Sequence, residues 1–528
     1  MKINASLLMD AYKAFHHRAY NPEVTHVYSN FTNRSAKYSN TGLDKVVFVG
    51  LQYFVKEVLI KQWNDTFFSL PKEEVIYEYN RVISSMLGKE VDTSHMEKLH
   101  DLGYLPVEIK ALPEGSLVPY QVPTLTITNT VSGFGWVTNM LETVLSSELW
   151  GISTSATTAY AYRKRFEQEP SLKELGMVPF MGHDFSYRGM FGTLSASQSG
   201  FGHLCSFVGS DTIPSALFAE EYYNAKIDEE LVFASVDATE HSVMCSYGTE
   251  GEQDSLEHLI TNVTPNGIIS IVSDTWDFWK LVTEYLPNLK ENIMNRDGTV
   301  VIRPDSGDPV KILTGYDFEN FTEEGFWDLD YKLDIPEVAK FNGKYFMVGQ
   351  NLDGRVSLGK ELEEYEVKGL IECLWDTFGG TIQDSTRLKL LDSHIGAIYG
   401  DSITLERQDQ IIERLKAKGF VPNVVLGVGS FTYQYITRDT HGSAVKATCV
   451  QKGEGNYEPI FKDPKTDSKK KSAKGLLRVE IEGGKYVLYD QQTPEQEQQG
   501  ELKTVFKDGV LVKETSLAEI RDLVNKTL

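Results

Sequence analysis

The chain has 528 residues, 41% hydrophobic, 11% aromatic and 24% charged, which excludes a disordered chain and exceeds what one core of about 250–300 residues can serve. A net charge of −23 argues against sequence-independent nucleic-acid binding, which needs clustered Lys and Arg against phosphate, yet leaves room for a local basic pocket around a small anion. Cys205, Cys245, Cys373 and Cys449 show no CxxC spacing, so a zinc site and a disulfide scaffold are set aside and reduced thiols in the cytoplasm are expected. No apolar core of signal length follows Met1, and no apolar run reaches about 18 residues, so no membrane span is expected.

In chain order, residues 1–150 mix helix and strand signals. Val46-Val47-Phe48-Val49-Gly50-Leu51 reads as a buried strand, Pro113-Glu114-Gly115 as a turn, and Thr124-Leu125-Thr126-Ile127-Thr128 as an alternating strand. Apolar spacing turns helical from Trp136 to Trp150. Residues 151–450 then repeat one pattern. Ile268–Val272 runs into Ser273-Asp274, Val300–Ile302 into Arg303-Pro304-Asp305-Ser306-Gly307, Ile395–Tyr399 into Gly400-Asp401-Ser402, and Val424–Leu426 into Gly427-Val428-Gly429-Ser430. Runs apolar on both faces are strands of a parallel sheet, and two of the spacings, about 30 residues, suit one strand–helix–strand unit each. Acids and small residues at the strand ends suggest a (β/α) barrel with its site on that rim, with an open doubly wound sheet as the alternative. The acidic, aromatic segment at about 316–383 reads as an insertion. Residues 451–528 hold a basic loop around Lys469-Lys470-Lys471, a hairpin signal at Asp508-Gly509, and a capping box of Ser516 and Glu519 before a final helix.

Arg303 and Asp305 stand two apart at a strand end, where Arg offers a planar donor fork and Asp suits a Mg²⁺ shell or a ribose hydroxyl; a structural ion pair gives the same pattern. Gly427-Val428-Gly429-Ser430 could cradle a phosphate on backbone N–H groups, or form a plain tight turn. Arg438, Lys446, Lys462 and Lys470 could add a basic pocket, although a solvated charge run explains lysines equally well. Ser235, Glu240 and His241 cluster in one stretch, which suits a His activated by a neighbouring acid as well as a structural His. His183-Asp184-Phe185-Ser186-Tyr187-Arg188-Gly189 sets an aromatic ring near an Arg.

These segments, in this order, resemble the nicotinamide phosphoribosyltransferase family. The likeness begins at Asp10-Ala11-Tyr12-Lys13 and continues through Glu108–Gly115, His183–Gly189, Gly209-Ser210-Asp211-Thr212, Glu240-His241-Ser242 and Val272-Ser273-Asp274. It goes on through Arg303–Gly307, Gly400-Asp401 and Thr437-Arg438-Asp439 to Phe461-Lys462-Asp463-Pro464. It implies an α/β fold: a (β/α) barrel-like type II phosphoribosyltransferase fold with an additional mixed β-rich domain, to which residues 1–150 contribute. It also implies a homodimer with shared active sites. The implied reaction joins nicotinamide to phosphoribosyl pyrophosphate with Mg²⁺, helped by ATP as co-substrate through a phosphohistidine.

Carried onto this chain, Phe185 and Tyr12 resemble the two aromatic walls around the pyridine ring, Tyr12 coming from the second subunit. Arg303 and Asp211 would meet the amide, with Ser235 beside them. His241 would take the phosphoryl group next to Glu240. Asp305, Gly400 and Asp401 would line the ribose and Mg²⁺ region. Gly429, Ser430, Arg438 and Lys446 would hold the 5′-phosphate, and Arg34, Arg188, Lys462 and Lys470 the pyrophosphate or ATP phosphates. A carboxylate at Asp211 accepts from nicotinamide and repels nicotinate. The competing readings are a nicotinate-specific relative, a catalytically silent nucleotide-binding homologue, and an unrelated barrel enzyme acting on phosphorylated sugars.

Overall fold

A computed structural model describes residues 3–327, 335–400, 402–455, 457–461 and 473–528. Asp401, Lys462 and Lys470 lie outside the described residues. Two seven-stranded sheets organise the chain. The first runs, in spatial order, Gly209–Ser210, Gly182–Asp184, Val425–Val428, Ile395–Tyr399, Val300–Arg303, Ile269–Val272 and Asp237–Ala238. Every neighbouring pair is parallel. The sheet curls until its edges meet, because Ala234, just before Asp237, donates its N–H to Val208 O at 2.7 Å and accepts from Ser210 N at 3.0 Å.

The repeated apolar runs are therefore parallel strands, and Ile271, Val300, Ile302 and Val428 are buried in one core with the surrounding helices. The helix Glu142–Glu167 runs along this barrel with a stripe of small residues from Ser153 to Ala159. Its Thr154, Thr157 and Thr158 hydroxyls bond back to carbonyls one turn earlier, at 2.6, 2.6 and 3.0 Å, so burying them leaves no orphaned polar group. The small residues let the helix Thr193–Leu204 approach closely: a Cβ on Gly202 would stand 2.8 Å from Ala156 N.

The second sheet is antiparallel. Its order is Tyr457–Pro459, Ala444–Lys452, Val24–Thr32, Pro123–Asn129, Val107–Ala111, Lys503–Lys507 and Val510–Leu511. It thus interleaves early strands with strands from the last hundred residues. The Asp508-Gly509 hairpin forms with φ of 50° and 84°, the left-handed pair of a tight type I′ turn. Ser516 and Glu519 make the capping box of the helix Leu517–Asn525.

One expectation changes. The strand read over Val46–Leu51 stops at Val47, and a helix starts at Leu51. The reason is Glu114, whose buried carboxylate accepts the N–H groups of Gly50, Leu51 and Gln52 at 2.6, 3.2 and 2.7 Å and the Tyr223 hydroxyl at 2.9 Å. Apolar pattern alone cannot reveal a helix cap supplied from 62 to 64 residues away. Within the acidic segment, the strands Phe318–Asn320, Val338–Phe341, Lys344–Gln350 and Val356–Leu362 form a separate small sheet. The helix Leu370–Phe378 packs instead on the barrel core.

Among the described residues no helix is long and apolar enough to cross a membrane. Replacing Glu114 by Ala strips four donors of their acceptor in a dry site. A loss of about 3 kcal/mol or more is expected, read as a lowered denaturant midpoint; an unchanged midpoint would show that the carboxylate holds nothing in place.

Candidate active site

The strand ends of the curled sheet share one rim, and the segments that leave it enclose a cavity of about 740 Å³. Phe185, Arg188, Asp211, Glu240, His241, Arg303, Asp305 and Gly400 line it, with Tyr187, Thr212 and Ser242. Eight residues singled out from the sequence thus converge from separate strand ends, as the barrel rule requires.

Asp211 follows the strand Gly209–Ser210. Its Oδ1 accepts from His183 Nε2 at 2.9 Å and from the Ser235 hydroxyl at 2.5 Å. Burial works to raise this carboxyl, but the bond and charge of His183, the Ser235 hydroxyl and the Arg303 charge outweigh it and hold Asp211 below the usual carboxylate range. Ser235 therefore reaches the site through Asp211. The Phe185 ring lies against the His183 imidazole, centroids 4.5 Å apart. Gly427 makes room for it, since a Cβ there would stand 2.7 Å from Phe185 Cδ2.

His241 opens a short helix, and its Nε2 lies 3.2 Å from Asp274 Oδ1. Asp274 also accepts the Asp305 N–H at 3.1 Å. Burial again pushes the Asp274 carboxyl up, and the Ser306 hydroxyl, the Asp305 N–H and His241 overcome it and pull it down. The acid that meets His241 is thus Asp274, while Glu240, its sequence neighbour, accepts from the Ser242 hydroxyl. Adjacent residues at a helix start point in different directions, so proximity in sequence misnames the partner. Arg303 donates to Thr239 O. Gly400 presses on the same pair, a Cβ there lying 2.7 Å from Asp305 Oδ1 and 3.7 Å from Arg303 Cδ.

Gly429 precedes the short helix Ser430–Gln434. Ser430 packs directly over Gly189, where an added Cβ would meet its Oγ at 2.0 Å, so the two motifs around Arg188 and Ser430 touch. Tyr12, Arg34, Arg438 and Lys446 do not line the rim cavity. Tyr12 is 59% exposed at the start of the helix Lys13–His16. Arg34 and Lys446 line a second cavity of about 730 Å³ against the antiparallel sheet, where Arg34 Nε donates to Gly442 O at 2.9 Å. Arg438 is exposed beside Asp439, 3.9 Å away. Sequence reading gave no role to His183 or Asp274. His183 sits in the middle of the rim strand Gly182–Asp184 and Asp274 just past the end of the strand Ile269–Val272, so only their place in these strand segments of the sequence could have flagged them.

The sequence model of the Nicotinate phosphoribosyltransferase (NAPRTase) family matches residues 180–510, and that of the Nicotinamide phosphoribosyltransferase, N-terminal domain, matches residues 4–109. The chain is 45% identical to a nicotinamide phosphoribosyltransferase of Acinetobacter baylyi, covering 100% of this chain and 98% of that protein. It is 28% identical to a nicotinamide phosphoribosyltransferase of Xanthomonas campestris pv. campestris, covering 98% and 97%. Among solved structures, a nicotinate-nucleotide pyrophosphorylase from Pyrococcus furiosus is similar with a TM-score of 0.56 at 14% identity, covering 100% of this chain and 95% of that one. Human nicotinic acid phosphoribosyltransferase is similar with a TM-score of 0.50 at 15% identity, covering 99% and 93%. At such identities the structural likeness carries the fold alone.

Asp274 gives a pH test. Its folded carboxyl titrates below the unfolded value near 3.9, so its contribution to stability is present above that value and fades as pH falls through the depressed one. The thermal midpoints of the wild type and Asp274→Asn should differ most above pH ~5 and draw together as pH falls below ~3.9. A gap that stays constant across that range would refute the assignment.

Proposed function

Because the chain belongs to the nicotinamide phosphoribosyltransferase family, we propose that the rim cavity transfers the phosphoribosyl group of phosphoribosyl pyrophosphate to nicotinamide. The products are nicotinamide mononucleotide and pyrophosphate. The enzyme is a pentosyltransferase with the type II phosphoribosyltransferase fold, an α/β barrel joined to a β-rich sheet. The observation that carries the substrate reading is Asp211, a carboxylate held ionised at the cavity wall beside Phe185 and Arg303.

Nicotinamide stacks on Phe185, its amide oxygen toward Arg303 and its amide N–H₂ toward Asp211. The pyridine nitrogen is already a nucleophile, so orientation in line with the anomeric carbon supplies much of the rate and no general base is needed. As the bond to pyrophosphate breaks, positive charge grows on the ribose and negative charge on the leaving group. Arg188 faces that negative charge, and the backbone N–H groups at Gly429 and Ser430 receive the 5′-phosphate. Gly400 lets the sugar approach Asp305. The donor set fits Mg²⁺, since Asp305 presents a hard oxygen at the cavity wall and this ion takes one or two carboxylates besides substrate phosphates. Asp305 and Asp401 would hold it, and when bound it neutralises the leaving diphosphate.

ATP acts at His241. Asp274 fixes the imidazole through Nε2, which directs the other ring nitrogen at the γ-phosphoryl group; Glu240 stands at the same wall. Tyr12 closes the pyridine site from a second copy of the chain, and Arg34, Arg438 and Lys446, which stand away from the rim cavity of their own chain, supply phosphate contacts there with Lys462 and Lys470. The four free cysteines suit the reducing cytoplasm.

Incubation with Mg²⁺, phosphoribosyl pyrophosphate and equal nicotinamide and nicotinate, read by mass spectrometry, should give nicotinamide mononucleotide as the dominant product; nicotinate mononucleotide in similar yield would sink the reading of Asp211. His241→Ala should abolish ATP hydrolysis and the ATP-dependent rise in yield while slow transfer persists. Shared sites predict that Tyr12→Ala and Phe185→Ala proteins, each impaired alone, recover about a quarter of wild-type activity when subunits are mixed at random. No recovery would mean that each chain completes its own site.

A further inference from the structure

His183 occupies the middle of the strand Gly182–Asp184, and three contacts fix it. Its Nε2 lies 2.9 Å from Asp211 Oδ1. Its ring stacks on Phe185 at 4.5 Å with 29° between planes. Its Nδ1 edge lies against the neighbouring strand, where a Cβ on Gly209 would come within 3.0 Å. The side chain is 11% exposed, whereas that of Asp211 is 43% exposed. A buried imidazole thus backs both the aromatic wall and the carboxylate of the rim cavity.

An ionised carboxylate only accepts, so Nε2 must carry the proton of this bond. Ser235 donates to the same oxygen, Oδ1, at 2.5 Å. Two donors on one oxygen stop the carboxylate from rotating, and among the described residues Oδ2 is left without a protein donor. A neutral amide N–H₂ can donate to Oδ2. A carboxylate on the same pyridine position would face it with like charge and no proton to share.

We propose that His183 is a positioning residue that sets the preference for a pyridine carboxamide over a pyridine carboxylate, by pinning Asp211 through Oδ1 and turning Oδ2 toward the substrate. This inference rests on the phosphoribosyl transfer proposed above. It concerns geometry and selectivity, since His183 itself need not touch the reacting atoms.

The test compares kcat and KM for nicotinamide and nicotinate in three variants. His183→Phe keeps a ring against Phe185 and removes the donor. His183→Asn has an amide that stops short of Asp211, and, being smaller, serves where Phe overfills the strand. His183→Gln places an amide N–H near the Nε2 position. Loss of a bond to a charged group predicts that Phe and Asn each raise KM for nicotinamide on the order of tenfold. The nicotinamide-to-nicotinate ratio of kcat/KM should fall by a similar factor, with kcat and the KM for phosphoribosyl pyrophosphate little changed. Gln should restore most of the ratio. A wild-type ratio in a folded Phe or Asn variant, or a Gln variant as unselective as both, overturns the proposal. A wild type that makes neither mononucleotide removes the underlying reaction instead, so the two failures are told apart.

Discussion

One buried carboxylate sets how the barrel meets the antiparallel sheet. Glu114 leaves the sheet just after the strand Val107–Ala111 and accepts from Gly50, Leu51, Gln52 and Tyr223. Desolvation pushes its pKa up, and only these donors offset that cost. Tyr223 closes the helix Ile213–Tyr223, which starts two residues after Asp211. Gln52 ties the same node to the C-terminal segment, its side-chain amide donating to Thr515 O at 2.9 Å and accepting from Thr515 N at 2.7 Å. The path from Glu114 to the rim is therefore one helix long, and the cavity wall inherits its position from a contact far from the chemistry.

At the rim the same chemical pair is used twice with opposite polarity. In His183–Asp211 the imidazole is buried, 11% exposed, and the carboxylate is presented at 43%. In His241–Asp274 the carboxylate is buried, 6% exposed, and the imidazole is presented at 49%. The hidden member of each pair holds the exposed one in place at the cavity wall. The first pair presents a carboxylate to the cavity, and the second presents an imidazole. One motif type therefore presents two different groups because burial decides which member faces the cavity.

Much of this was legible in the residues. The β-branched runs ending in Asp, Gly or Ser marked the parallel strands and the ends that line the cavity, because strands buried on both faces leave a plain apolar signature. Asp508-Gly509 and the Ser516–Glu519 box were legible because turn and cap chemistry is local. The helix start at Leu51 was not, since its cap comes from Glu114. The partner of His241 was not, since two different strand ends supply the two side chains. Arg34 and Lys446 were grouped with the phosphate-site residues, but their separation from the rim cavity of their own chain is a tertiary fact that spacing does not encode.

The antiparallel sheet interleaves the beginning and end of the chain: Val24–Thr32 lies between Ala444–Lys452 and Pro123–Asn129, and Lys503–Lys507 covers the open edge of Val107–Ala111. On the ribosome, the early strands emerge long before their partners exist. The nascent chain must carry two unsatisfied strand edges, a known invitation to wrong pairing, while the barrel strands between residues 182 and 428 collect one another in sequence. Synthesis thus imposes an order in which the barrel can assemble first and the sheet closes last, so a ribosome that stalls before the final hairpin releases a chain whose cavity walls are formed but whose second layer stays open and sticky.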